Sequence, residues 1–162
     1  MILALKTDGE ITEFILLDQN GQIQNRLEWQ SARGLAEGLL GHVLELLGQN
    51  SLHDLSGLIV FRGPGSFTSL RIGISTINAL AYGLAVPNVG TTSEDWLKVG
   101  LAQLSKQGKP QIVNVQVGPE QIPAQIIRGA TPICFQLVLD GSQPFFMMVD
   151  QCVNPLPVMG KR

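Results

Sequence analysis

Gly63-Pro-Gly-Ser-Phe-Thr-Ser-Leu-Arg-Ile-Gly73 decides how the rest of the chain is read. It joins a short apolar run, Leu58 to Phe61, to a long uncharged helical pattern. A strand, a glycine-rich turn and a helix in immediate succession gather backbone N–H groups where another group can dock. Gly63, Pro64, Gly65, Ser66 and Phe67 form the turn. No G-x-x-x-x-G-K-[ST] loop is present, and Arg71 stands in the first helical turn, where the helix dipole disfavours a cation. Two readings follow: a tight turn that packs strand against helix, or an anchor whose Arg71 meets a carboxylate or anion from another segment or chain.

Upstream, Ile2 to Leu5 reads as a first strand, and Asp8-Gly9 offers hairpin chemistry. Ile11 to Leu17 follows, and Asn20-Gly21 is the strongest hairpin signal in the chain. Gln22 to Trp29 alternates as an outer strand with one buried face. Ser31 is the expected N-cap of a helix running to about Leu47, with Gly48 as its stop. Leu35, Leu39, Val43 and Leu46 line one face of it. Gly34, Gly38 and Gly41 form a second stripe. Each interior glycine costs about 1 kcal/mol relative to alanine, so three on one face imply that another backbone approaches closely.

Downstream of the turn, a helix is expected from about Thr68 to Leu84. Leu70, Ile74, Ile77, Leu80, Ala81 and Leu84 make its core face, and Ile72, Thr76, Ala79 and Gly83 a second face of mostly small residues. A helix uncharged from Ile72 onward is covered on more than one side. Val86 to Gly90 reads as a fifth strand. Thr92 or Ser93 caps a helix to about Leu104, with Glu94 and Asp95 favourably placed in its first turn. From Gln111 the pattern turns strand-like over 111–117, 123–129, 133–139 and 144–150. The expected organisation is a lobe over 1–105, a compressed β-rich second lobe over 106–153 and a tail over 154–162. The order β-β-β-α-β-α-β-α predicts an α/β, ribonuclease-H-like lobe: an antiparallel meander, then parallel strands with right-handed crossovers.

Composition narrows the function. Charged residues make up only 15% of the 162 residues, below the usual ~25%, which fits surface hidden against a partner or a polar, uncharged exterior rich in Gln. Net charge is −2 and no basic cluster occurs, so direct nucleic-acid binding by the chain alone is not expected. Ser75, Thr76, Asn78 and Pro87 interrupt the uncharged stretch, so no ~20-residue membrane span is expected. Cys134 and Cys152 read as reduced thiols of a cytoplasmic protein. His42 and His53 form no H-x-x-x-H or H-E-x-x-H pair, so no metal is implied. Ser66 lacks the second glycine of a nucleophile elbow. No catalytic residue and no cofactor is expected.

The eleven-residue stretch resembles the G-P-G-S-F-T-G-L-R-I-G signature of the TsaB (YeaZ) proteins, with Ser69 in place of one glycine. Ile2-Leu-Ala-Leu-Lys-Thr7 resembles their I-L-A-L-D-T start, and Ala36-Glu37, Leu39-Leu40, Ala79-Leu-Ala81 and Val86-Pro87 are similar in place; together these span residues 1 to about 105. The resemblance implies an actin-like fold and a non-catalytic part in making threonylcarbamoyladenosine in tRNA. It implies pairing with a TsaD-like catalytic paralogue, which a TsaE-like ATPase joins, or a homodimer, through the first two helices. The interface residues expected on those helices are Gly34, Glu37, Gly38, Gly41, Arg71, Ile72, Thr76 and Ala79. The chain departs from the pattern at Lys6, where the family has an aspartate near a nucleotide's metal; at Leu35, where it usually has histidine; and at Gln116-Val-Gly118, in place of D-A-R. A diverged stand-alone homodimer and a nucleotide-handling enzyme of the actin-like superfamily are the alternatives; the second needs an acidic group where Lys6 stands.

Overall fold

In the computed structural model, residues 1–31, 34–92, 94–117, 120–122, 135–137 and 145–147 are described. The expected strand over 123–129, the tail over 154–162, and Cys134 and Cys152 lie outside them. The chain divides into two compact units, Met1–Ala124 and Gln125–Arg162. The first takes in residues 106–124, which the sequence pattern assigned to the second lobe, because residues 111–116 are tied to its sheet as described below. In the second, β8 (Phe135–Leu137) and β9 (Phe145–Met147) form an antiparallel pair.

Five strands build the sheet of the first unit: β1 (Ile2–Lys6), β2 (Ile11–Leu17), β3 (Ile23–Gln30), β4 (Gly57–Phe61) and β5 (Asn88–Thr91), in the order β3-β2-β1-β4-β5. The first three are antiparallel, and β4 and β5 run parallel to β1. This is the expected meander followed by crossovers. Asn20-Gly21 makes its turn, with Gly21 at φ 79°, and Asp18 accepts from the Asn20 and Gln22 amides at 2.8 and 2.9 Å.

Three helices cover the sheet: α1 (Leu35–Leu47), α2 (Phe67–Leu84) and α3 (Trp96–Leu104). The strand alternation assigns their sides. Leu3 and Leu5 pair in register with Leu58 and Val60 and, with Phe14 and Leu16, face α1 and α2. Ala4, Gly57, Ile59 and Phe61 face α3: a Cβ on Gly57 would meet Leu104, and one on Gly100 would meet Ile59. Covered on both sides, β4 is buried at all five positions, as its unbroken apolar run predicts. A short pair, β6 (Val115–Val117) and β7 (Glu120–Ile122), completes the unit.

Two helix starts differ from expectation. The N-cap of α1 is Gly34, with no side-chain cap bond. Ser31 is instead buried; its hydroxyl donates to Glu10 O and accepts from Thr12 Oγ1. The N-cap of α3 is Asp95, which makes no side-chain cap bond to the helix, so Glu94 and Asp95 precede its first turn. A 3-10 turn at Leu52–Asp54 carries a full Ser51/Asp54 capping box, an S-x-x-D signal readable in the sequence.

Candidate functional site

The glycine-rich turn rests on the end of β1 and is walled by residue 116. The Arg62 N–H donates to Thr91 O at 2.8 Å, and the Gln116 N–H donates to Arg62 O at 2.8 Å. Gly63 has φ 126°, and a Cβ there would lie 2.8 Å from Gln116 O, so both conformation and space require glycine. At Gly65 a Cβ would lie 2.6 Å from the Asp8 carbonyl oxygen, and the Ser66 N–H donates to that oxygen at 2.7 Å. Ser66 caps α2, its Oγ accepting from the Ser69 N–H at 3.5 Å and from Ser69 Oγ at 3.0 Å. A Cβ on Gly73 would run into the Thr7 side chain. The turn is thus packed backbone against backbone. Gly63 is buried, Pro64, Gly65 and Ser66 are exposed, and Phe67 is half-buried.

The end of β1 carries charge but no acidic cluster. Lys6 lies 3.4 Å from Asp8 and 5.1 Å from the Phe61 ring centroid. Thr7 Oγ1 and Arg62 Nε are buried without a hydrogen-bond partner. Among the described residues, no three His, Cys, Asp or Glu side chains gather as metal ligands. At the opposite end of the parallel strands an open groove of about 410 Å³ is floored by Ile2, Pro87, Leu101 and Leu104 and lined by uncharged polar residues.

The eight expected interface residues fall into different environments. Gly34 and Gly38 lie under Trp29, whose Cη2 would be 2.5 Å from a Cβ on Gly38. The close approach that the glycine stripe implied is therefore partly a side chain of β3. Trp29 also stacks on His42 at 4.2 Å between ring centroids, and His42 Nδ1 meets Glu45 Oε2 at 2.8 Å. Gly41 has open space around it, and Glu37 is exposed. On α2, Arg71 and Ile72 are half-buried. Thr76 and Ala79 are only 5% and 6% exposed, and Thr76 Oγ1 donates to Ile72 O.

Two large side chains escaped the sequence reading. Leu44 and Tyr82 are each 49% exposed. Leu44 continues the row Glu37–Gly41 at helical spacing, and Tyr82 follows Ile72, Ser75 and Ala79 on α2. The signal was there: Leu44 falls off the Leu35–Leu39–Val43–Leu46 core face, and Tyr82 is the chain's one tyrosine. The two helices pack against each other.

Comparison with known proteins agrees with this geometry. Residues 30–116, more than half of the chain, match the family model "TsaD: tRNA N6-adenosine threonylcarbamoyltransferase". The chain is 46% identical over 43 residues, 26% of its length, to the tRNA threonylcarbamoyladenosine biosynthesis protein TsaB of Escherichia coli, covering 19% of that protein. It is 56% identical over 36 residues, 22% of its length, to the tRNA N6-adenosine threonylcarbamoyltransferase of Geotalea daltonii, covering 11% of it. The solved structure of YeaZ from Pseudomonas aeruginosa superposes with a TM-score of 0.51 at 32% identity, over 56% of this chain and 42% of that one. The matches thus span less than half the length of each of these relatives. With its sheet order, its glycine-rich turn and its family match together, the chain belongs to the tRNA N6-adenosine threonylcarbamoyltransferase (TsaD) family, as a TsaB-like member with the actin-like fold.

Proposed function

We propose that this chain is a non-catalytic, cytoplasmic TsaB-like scaffold that supports threonylcarbamoyl transfer to adenosine in tRNA by docking its first two helices on a TsaD-like catalytic partner, which a TsaE-like ATPase joins. The observation that carries the reading is the exposed row Glu37–Gly41–Leu44 on α1, with Ile72 and Tyr82 on the neighbouring α2. Gly41 leaves room for an approaching backbone, and Leu44 and Tyr82 supply apolar area worth roughly 25 cal/mol per Å² before association costs. The tie of Lys6 to Asp8 supports the non-catalytic role, since a cation at that strand end repels a nucleotide's magnesium ion.

Gly41→Gln and Leu44→Glu test it. A Cβ at Gly41 meets nothing within 4 Å, and glutamine replaces a poor helix former, so the lone protein should keep or gain stability. Co-purification with a TsaD-like protein should fall for both variants. Undiminished co-purification of two folded variants would remove the helix face from consideration.

A further inference from the structure

The sheet has one open edge among the described strands. At β5, Gln111 hydrogen-bonds to Asn88 and Val113 to Asn78 behind it; at β3 no described strand pairs on the outer side. An unpaired edge presents a row of N–H and C=O groups, and proteins commonly guard such edges with proline, charged side chains or bulges. Ile23–Gln30 contains no proline, glycine or lysine. Its one irregularity is at Gln24, which is skipped where Leu16 pairs with Asn25 and Leu17 with Ile23. From Asn25 to Gln30 the pairing with β2 is regular, and of the outward-facing groups the Arg26 N–H donates to the adjacent Asn25 Oδ1 at 2.9 Å, a local bond that an added strand has to displace.

We propose that β3 is a self-association edge, at which a second copy of this chain adds its own β3 antiparallel and two five-stranded sheets become one. The occupant follows from the charges. Arg26 and Glu28 point to the same face, away from α1, and are about half exposed (52% and 54%). A two-fold axis perpendicular to the sheet keeps each side chain on its own face, so it can pass only through a residue and shifts register in steps of two. Centred on Arg26, it opposes Arg26 to Arg26; centred on Glu28, it opposes Glu28 to Glu28. Centred on Leu27, it places each Arg26 opposite the other copy's Glu28, twice by symmetry. Opposite charges stabilise directly facing positions and like charges destabilise them, so the strand specifies one register for its own duplicate. In the single chain Arg26 already reaches Glu13 and Glu28 at 2.8 Å. The duplicate's acids extend that ladder without opposing like charges.

Sedimentation velocity on the full chain across a concentration series tests this, with far-ultraviolet circular dichroism to verify folding. The wild type should dimerise with concentration. Arg26→Glu and Glu28→Arg each put two like-charge pairs across the axis and should weaken dimerisation roughly ten-fold or more. An equimolar mixture of the two variants restores an opposite charge at every facing position and should associate as well as the wild type. A within-chain role for the Arg26–Glu28 pair would not produce that rescue. The proposal is overturned by a wild type that stays monomeric, by single variants that dimerise like the wild type, or by a mixture that stays monomeric. Dimerisation lost in Gly41→Gln but retained in Arg26→Glu would assign the contact to the helices and overturn it equally; the TsaD-like docking reading stands or falls separately, on co-purification.

Discussion

At β5 the chain's own residues 111–113 are pinned beside the sheet's edge, whereas at β3 no described segment lies on the outer side. The pinned edge is built from buried polar groups. Asn88 Nδ2 donates to Asn78 Oδ1 at 3.1 Å and to Gln111 O at 2.9 Å, and Asn88 Oδ1 accepts from the Gln111 N–H at 2.8 Å. Asn78 in turn donates to Val113 O at 3.0 Å and accepts from the Val113 N–H at 3.1 Å. Two buried amides thus hold the backbone of residues 111 and 113 beside β5. The open edge relies on exposed charge instead. The lesson is that two buried asparagines can pin a following segment of chain beside an edge strand, and that the described residues place no such segment beside β3.

Three substitutions can break or sharpen this contrast. Asn88→Leu removes two bonds from the part-buried backbone of Gln111 and one from the buried Asn78 amide, and should cost about 2 kcal/mol, read as a lower urea midpoint. Gly90→Val comes next. A Cβ on Gly90 already meets Val113 and lies 3.1 Å from Arg62 Cδ, so overpacking should cost about 2 kcal/mol. Both should also raise amide exchange at Val113 and Gln116. Smallest is Arg26→Glu on the open edge. It removes surface ion pairs from a strand whose outward face is solvated, and the unfolding free energy of the monomer should move by less than about 1 kcal/mol. A loss as large as that of Asn88→Leu would mean that the two edges are equally structural.

Much of the fold was legible because its signals are local. The Asn20-Gly21 hairpin, the unbroken apolar run of β4 and the turn into α2 each depend on a few adjacent residues. What was not legible depends on distant partners. Ser31 reads as a helix cap, but Thr12 and Glu10 claim its hydroxyl. The stripe Gly34–Gly38–Gly41 reads as one surface, but Trp29, arriving from β3, covers its first two members and leaves the third open. Thr76 and Ala79 read as a small-residue face for a partner, but they are buried within the single chain. Periodicity shows which residues share a face of a helix; it does not show which part of that face the chain keeps for itself. For the candidate site, the turn could be read residue by residue, whereas the accessible helix row was marked only by Leu44 lying off the core face, and its exposure became plain once Leu44 and Tyr82 were seen standing clear of the core.

The wall that Gln116 builds against Gly63 has a practical corollary. A fragment ending at residue 105 would retain every strand of the main sheet yet lose the carbonyl that presses on the turn and the amide that holds Arg62. Its signature loop would slacken, and Asn78 and Asn88 would be left facing water. The smallest piece able to stand alone therefore extends past residue 116, and proteolytic trimming short of that point should yield a sticky, easily digested remnant rather than a tidy core.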